Sequence, residues 1–214
     1  MKSLIRLYLI IISVFALIFL LVNVTGLLSV ADIKNYLHQI QDADKLKVFI
    51  VVTVLLASDV FLSVPTILIV TYSGNILGFE LGLLSSTFGM MLSGIIAYAL
   101  CRLSGNKMLQ VLIKDPKQID EVNGIFHKLG FGMLIIARAL PMLPEATCCL
   151  SGMMKFNFVK FLGYYLIGTL PYAIVLTYLG SISDLDNPYP ALVGIGMVYV
   201  VLYALWYVKL RNNK

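Results

Sequence analysis

The sequence predicts an all-α, polytopic membrane protein with two opposed re-entrant helical hairpins in inverted-repeat halves. Three observations carry that expectation. Hydrophobic residues fill 60% of the 214 positions and charged ones only 13%, about half the charged share of a soluble domain. Long uncharged runs at 7–31, 81–101, 161–183 and 187–208 suit the ~20 residues a helix needs to cross a bilayer. Two other apolar stretches are broken by proline and carry ionisable side chains, which lipid tolerates only where protein or a wet cavity surrounds the break.

The same numbers exclude a soluble domain, because apolar segments fill most of the chain. The net charge of +5 reports basic cytoplasmic loops rather than a nucleic-acid surface. The three cysteines, Cys101, Cys148 and Cys149, lie in apolar stretches. Their spacing suits neither a disulfide framework nor a zinc site, so they read as packing residues. No cofactor and no metal ion is expected.

Taken in order, residues 1–31 form an N-terminal transmembrane helix. Lys2 and Arg6 precede an apolar run longer than the h-region of a signal peptide. Residues 32–47 form an amphipathic outer-face segment, with Ile33, Tyr36, Leu37 and Ile40 on one helical stripe. Residues 48–183 form the core. Within it, Val48 to Ser58 is too short to cross, and Asp59 ends it. Pro65, Gly74 and Gly78 then interrupt a run that reads as the first re-entrant hairpin, closed by Glu80. Leu81 to Cys101 reads as a span whose glycines and serines allow close helix packing. The polar segment 104–128 reads as a cytoplasmic loop with a surface helix, started by Asp115-Pro116 and given an apolar face by Ile119, Val122, Ile125, Phe126 and Leu129.

The second hairpin, Leu134 to Lys155, carries Arg138, Pro141, Pro144 and Glu145. Prolines at such spacing remove backbone donors and break the helix. Phe161 to Ser183 can span, with a kink expected at Pro171. Residues 184–214 form an acidic turn, a C-terminal transmembrane helix with an aromatic belt, and a basic tail.

Basic residues collect at the N-terminus, the 102–128 loop, the Lys155–Lys160 link and the C-terminal tail. The charge rule therefore places both termini in the cytoplasm of a multi-pass cell-membrane protein. It also gives the two halves opposite orientation. Pro65 followed by Ser73-Gly74 echoes Pro144 followed by Ser151-Gly152, each before a long apolar helix. Broken segments at matching places in inverted halves point to a transport site at mid-membrane.

Charge inside a membrane is costly and marks function. Arg138 keeps its charge and offers a planar fork that suits phosphate. Glu145 and Asp59 can be neutral or ionised, as a proton relay requires. Asp59 reads equally well as a helix-end cap. Glu80 reads as interfacial, and His38 and His127 as solvated. No catalytic nucleophile with a base in reach stands out.

Gly130-Phe131-Gly132, then Arg138-Ala139-Leu140-Pro141-Met142-Leu143-Pro144, then Ser151-Gly152 resembles the DedA superfamily, nearest its SNARE-associated Golgi protein or VTT-domain group. The resemblance covers roughly residues 55 to 181. It implies two opposed hairpins and a lipid flippase or scramblase acting on phospholipid or polyprenyl-phosphate head groups. Arg138 matches the family's hairpin arginine, and Asp59 the acid of the first hairpin. The polyprenyl-phosphate branch has a second arginine where this chain has Pro144.

The expected substrate-binding residues are thus Arg138, Glu145 and Asp59. Pro65, Gly74, Pro141, Pro144 and Gly152 are the expected hairpin-forming residues. The expected partners are membrane lipids, with protons or sodium ions as coupling ions, a homo-oligomer as one assembly, and no nucleic acid. Two other functions fit the residues: a proton- or ion-coupled antiporter of a small solute, and a non-transporting membrane scaffold.

Overall fold

The computed structural model describes residues 2–25, 30–40, 44–62, 64–112, 119, 122–126, 132–135, 137–139 and 143–183. The acidic turn and last helix expected over 184–214 lie outside the described residues, as do Asp115, Pro116, His127 and Pro141. The described residues are helical, with no strand among them.

Helix α1 spans Lys2–Thr25 and α2 spans Val30–Gln39. Ile33, Leu37 and Ile40 are buried in one apolar cluster with Val48, Val52 and Leu56 of the next helix, while Tyr36 is exposed. The amphipathic stripe therefore packs on protein. Asp44 caps α3, Lys45–Ala57, by accepting from the Leu46 amide. A turn at Ser58 leads to α4, the single turn Asp59–Leu62.

After Pro65 the chain enters α5, Thr66–Leu112, which breaks at Gly78. Gly78 has φ 79° and ψ 175°, a conformation open essentially to glycine alone. A short limb thus precedes Gly78 and a long one follows it. Past Lys128 the described pieces are a helical turn over 132–135, a 3₁₀ turn at Ala137–Ala139 and α6, Leu143–Met153. A tight link then places Lys155 at φ 50°. Asn157 opens α7, Phe158–Ser181, by accepting from the Lys160 amide at 3.1 Å. Each half of the core is therefore a short helix followed by a long one.

Two helices among the described residues are long and apolar enough to cross a membrane, Thr66–Leu103 and Phe158–Ser181. Phe88, Val159, Ile167 and Tyr178 are among the large apolar side chains left on their outer faces. The short helix of each half is seated on the long helix of the other. A Cβ at Gly74 would collide with the Thr177 carbonyl of α7, and one at Gly152 with the Tyr98 carbonyl of α5. Backbones this close leave no room for a methyl group, and neither neighbour is a flexible side-chain tip. Gly152→Ala is expected to cost ~1–3 kcal/mol by overpacking, read as a lower melting temperature in detergent. Gly163→Ala meets nothing within 4 Å and should leave that temperature unchanged.

Three expectations need correction. The segment after Arg102 is not a loop from Ser104 onward, because α5 continues to Leu112. The expected surface helix packs inward: Val122 and Phe126 are fully buried beside Phe156 and Tyr98. Its apolar stripe serves the core. Cys101 and Cys149 are not both mere packing residues, since they form a disulfide across α5 and α6 with Cα atoms 5.1 Å apart. Spacing along the chain cannot reveal a pair 48 residues apart. Helix α7 runs from Phe158 to Ser181 with Pro171 inside it.

Candidate functional site

The two apolar clusters of the core meet around three ionisable groups, of which Asp59 and Arg138 are buried and Glu145 is partly buried. Val60 belongs to one cluster and Val64 to the other, and Asp59 sits at that junction. On α7 the same holds: Tyr165 lies in the first cluster, Ala173 in the second, and Thr169 between them.

Arg138 projects from the 3₁₀ turn and is 8% exposed. Its Nε donates to Thr169 Oγ1 at 3.2 Å and its Nη2 to the Tyr165 hydroxyl at 2.6 Å. The Tyr165 hydroxyl in turn donates to the Met90 carbonyl at 3.2 Å. The guanidinium carbon lies 5.0 Å from the centre of the Tyr165 ring and 5.7 Å from that of Tyr172. Ring faces attract such a cation when water is excluded. Tyr165, Thr169 and Tyr172 share one face of α7, so one helix stripe holds the guanidinium on two sides. Nη1 makes no hydrogen bond among the described residues.

Asp59 begins α4 and is 6% exposed. Its carboxyl lies near the Val64 backbone and the Glu145 carboxyl, close enough for each to act on its charge. Asp59 thus opens α4 and is a neighbour of the other two groups. Glu145 lies in the first turn of α6, where a negative charge is favoured by the helix dipole. Its Oε2 is buried and has no donor among the described residues. Arg138 is near enough for its charge to act on both carboxyls, yet neither sits within ion-pairing distance of the guanidinium. One fixed cation therefore stands beside, and not directly on, a carboxyl pair. The arrangement can hold an anion on Arg138 and a proton or a hydrogen-bond donor between the carboxyls.

The residues expected from sequence fall as follows. Arg138, Glu145 and Asp59 come together. Pro65 lies at the break between α4 and α5, and Pro144 is buried in the first turn of α6. Gly74 and Gly152 seat the short helices. Glu80 is exposed and away from the cluster. Arg102 reaches the Tyr98 hydroxyl and, at 3.3 Å, the Phe156 carbonyl. Tyr165, Thr169 and Tyr172 were not singled out from sequence. Their signal was polar atoms at spacings of four and three on one face of an otherwise apolar helix. Among the described residues no three His, Cys, Asp or Glu side chains gather as metal ligands.

The VTT domain matches residues 64–182, more than half of the chain. The chain is 24% identical over 162 residues to undecaprenyl phosphate transporter A of Bacillus subtilis (strain 168), covering 68% of this chain and 81% of that protein. It is 26% identical over 195 residues to an alkaline phosphatase-like protein of Lactococcus lactis subsp. cremoris (strain MG1363), covering 80% and 91%. It is 25% identical over 196 residues to the protein of the same name from Lactococcus lactis subsp. lactis (strain IL1403), again covering 80% and 91%. No solved structure matches.

Proposed function

The chain belongs to the VTT domain family of DedA-type membrane proteins, and on that premise we propose that it moves lipid head groups across the bilayer. In this reading the head-group phosphate meets Arg138, the acyl chains stay in lipid, and the carboxyl pair of Asp59 and Glu145 takes up or releases a proton as the site changes side. A relative named as a transporter of undecaprenyl phosphate supports the transporter class. Pro144 stands where the polyprenyl-phosphate branch has an arginine, so the proposed substrate is a phospholipid in general rather than that carrier alone.

The observation that carries the reading is the depth of Arg138. It grips α7 at Tyr165, Thr169 and Tyr172, near the middle of a 24-residue helix. At 1.5 Å per residue, about 17 Å of helix lies on either side, which is half a bilayer in each direction. Tyr165 also bonds to Met90, near the middle of the long limb of α5. A cation held there, between the Tyr165 and Tyr172 rings, is costly unless it meets an anion.

The two proline-broken segments are read as re-entrant hairpins in inverted halves. The repeated short-helix, long-helix pattern supports this, as does the reciprocal seating of Gly74 and Gly152. The termini are assigned to the cytoplasm from the basic residues. Reconstituted vesicles test the function. With a fluorescent phospholipid in both leaflets, an impermeant quencher should remove well over half of the signal in protein-containing vesicles. Quenching that stops at the outer-leaflet half would refute lipid movement.

A further inference from the structure

Helix α1 lies outside the matched domain, yet it packs on both elements that carry the carboxyl pair, α4 and α6. Leu7 and Ile11 are buried in one cluster with Val60, next to Asp59, and with Ala146 and Cys148, beside Glu145. Between them Tyr8 places its hydroxyl 2.6 Å from Thr147 Oγ1. Thr147 already gives its one hydroxyl hydrogen to the Leu143 carbonyl at 2.6 Å. A threonine hydroxyl has a single hydrogen, so Tyr8 is the donor and Thr147 the acceptor.

The next face of α1 is different. Leu9, Val14, Leu17, Leu20 and Leu21 are more than half exposed. Among its described side chains, Leu7 and Ile11 are buried against the core, Tyr8 and Ile12 pack partly buried beside them, and Tyr8 adds its hydrogen bond to Thr147. Beneath α1, Asp59 is 6% and Arg138 8% exposed, and Glu145 is partly buried with its Oε2 shut away from solvent. A head group can reach the carboxyl pair only if something that covers it moves.

We infer that α1 is the moving cover of the carboxyl pair, and that the Tyr8–Thr147 hydrogen bond is its latch. The latch joins the cover to α6 two residues from Glu145, while Leu7 and Ile11 rest over α4. Breaking it removes the polar tie to α6 and leaves α1 held by its apolar contacts. The inference rests on the transport reading for its purpose, though its geometry does not.

Cys148 offers a direct gauge. It is buried, unpaired and beside Tyr8, and the other two cysteines are joined to each other. Labelling by N-ethylmaleimide in native membranes should therefore report how often α1 lifts. Tyr8→Phe keeps the ring and removes the donor. One net hydrogen bond shifts the closed-to-open ratio roughly 2- to 10-fold, so labelling should quicken by that factor. An unchanged labelling rate would overturn the latch.

A second arm locks the cover. Tyr8→Cys and Thr147→Cys are placed in a chain with Cys101, Cys148 and Cys149 changed to serine. A reducible bis-methanethiosulfonate linker replaces the reach of the tyrosine ring. Linked protein should stop exchanging lipid in vesicles, and reduction should restore it. Exchange that continues at the unlinked rate would overturn the cover. If the serine background does not exchange lipid, the labelling arm decides alone, since it needs no transport. Wild-type protein that moves no lipid while Tyr8→Phe labels faster would refute the transport reading and leave the latch standing.

Discussion

Arg138→Ala should lower lipid exchange in reconstituted vesicles by about 30-fold or more, from a loss of at least ~2 kcal/mol when one member of a buried charge cluster is truncated. The variant removes the only member of the cluster that can carry fixed positive charge. It also removes the donors held by Thr169 and Tyr165 and leaves two carboxyls facing each other without a cation. Arg138→Lys separates charge from shape. Lysine keeps the charge but lacks the planar fork that bonds two partners and still presents a third edge. An intermediate rate, about 10-fold below wild type, is expected for loss of one charge-assisted hydrogen bond. Full exchange by Arg138→Ala, measured on protein that elutes and melts like wild type, would remove Arg138 from the transport site.

Neutralising the carboxyls should produce a second large effect, with a different signature. Asp59→Asn and Glu145→Gln each keep size and shape while removing the ability to hold a proton. Each is expected to slow exchange roughly 10- to 100-fold, the range for losing a hydrogen bond to a charged group. Because each carboxyl acts on the other's charge, they should act as one unit, and the double variant should be no slower than the worse single. A product of the two single losses would show that they work independently. The pH profile adds a check. Protonating the pair removes negative charge from beside an arriving anion, so wild-type exchange should fall as pH rises. That dependence should vanish in the double variant.

Charge explains why part of this site was readable from sequence. Arg138, Glu145 and Asp59 stand out because an ionised group in an apolar chain has few bland explanations. The breaks at Pro65 and Pro144 were readable for a similar reason, since a proline cannot donate to the helix ladder. The company Arg138 keeps was not. Tyr165 and Tyr172 look like ordinary packing residues on an apolar helix, and only the fold turns their shared face toward the guanidinium. Gly74 and Gly152 read from sequence as hairpin-forming residues. Their partners, Thr177 and Tyr98 on the opposite half, follow from topology rather than spacing. The same limit hid the Cys101–Cys149 disulfide and the inward packing of Val122 and Phe126. An amphipathic stripe says that one face is buried, and it does not say whether protein or lipid buries it.

The docking of α1 shows that limit most clearly. Its run of apolar residues announces a membrane helix and nothing else. Tyr8 is one aromatic among many, and Thr147 one hydroxyl on a short helix. Their contact joins residues 139 apart, and with it the cover comes into view.

The central claim is that the cation at mid-membrane exists to hold a lipid phosphate. Native mass spectrometry of protein released from membranes tests this most directly, because it reads retained lipid without any transport assay. Wild-type protein should carry phosphate-bearing lipid as a discrete adduct, and Arg138→Ala should lose that adduct while remaining folded. The same phospholipid adducts, at the same occupancy, on both proteins would contradict it.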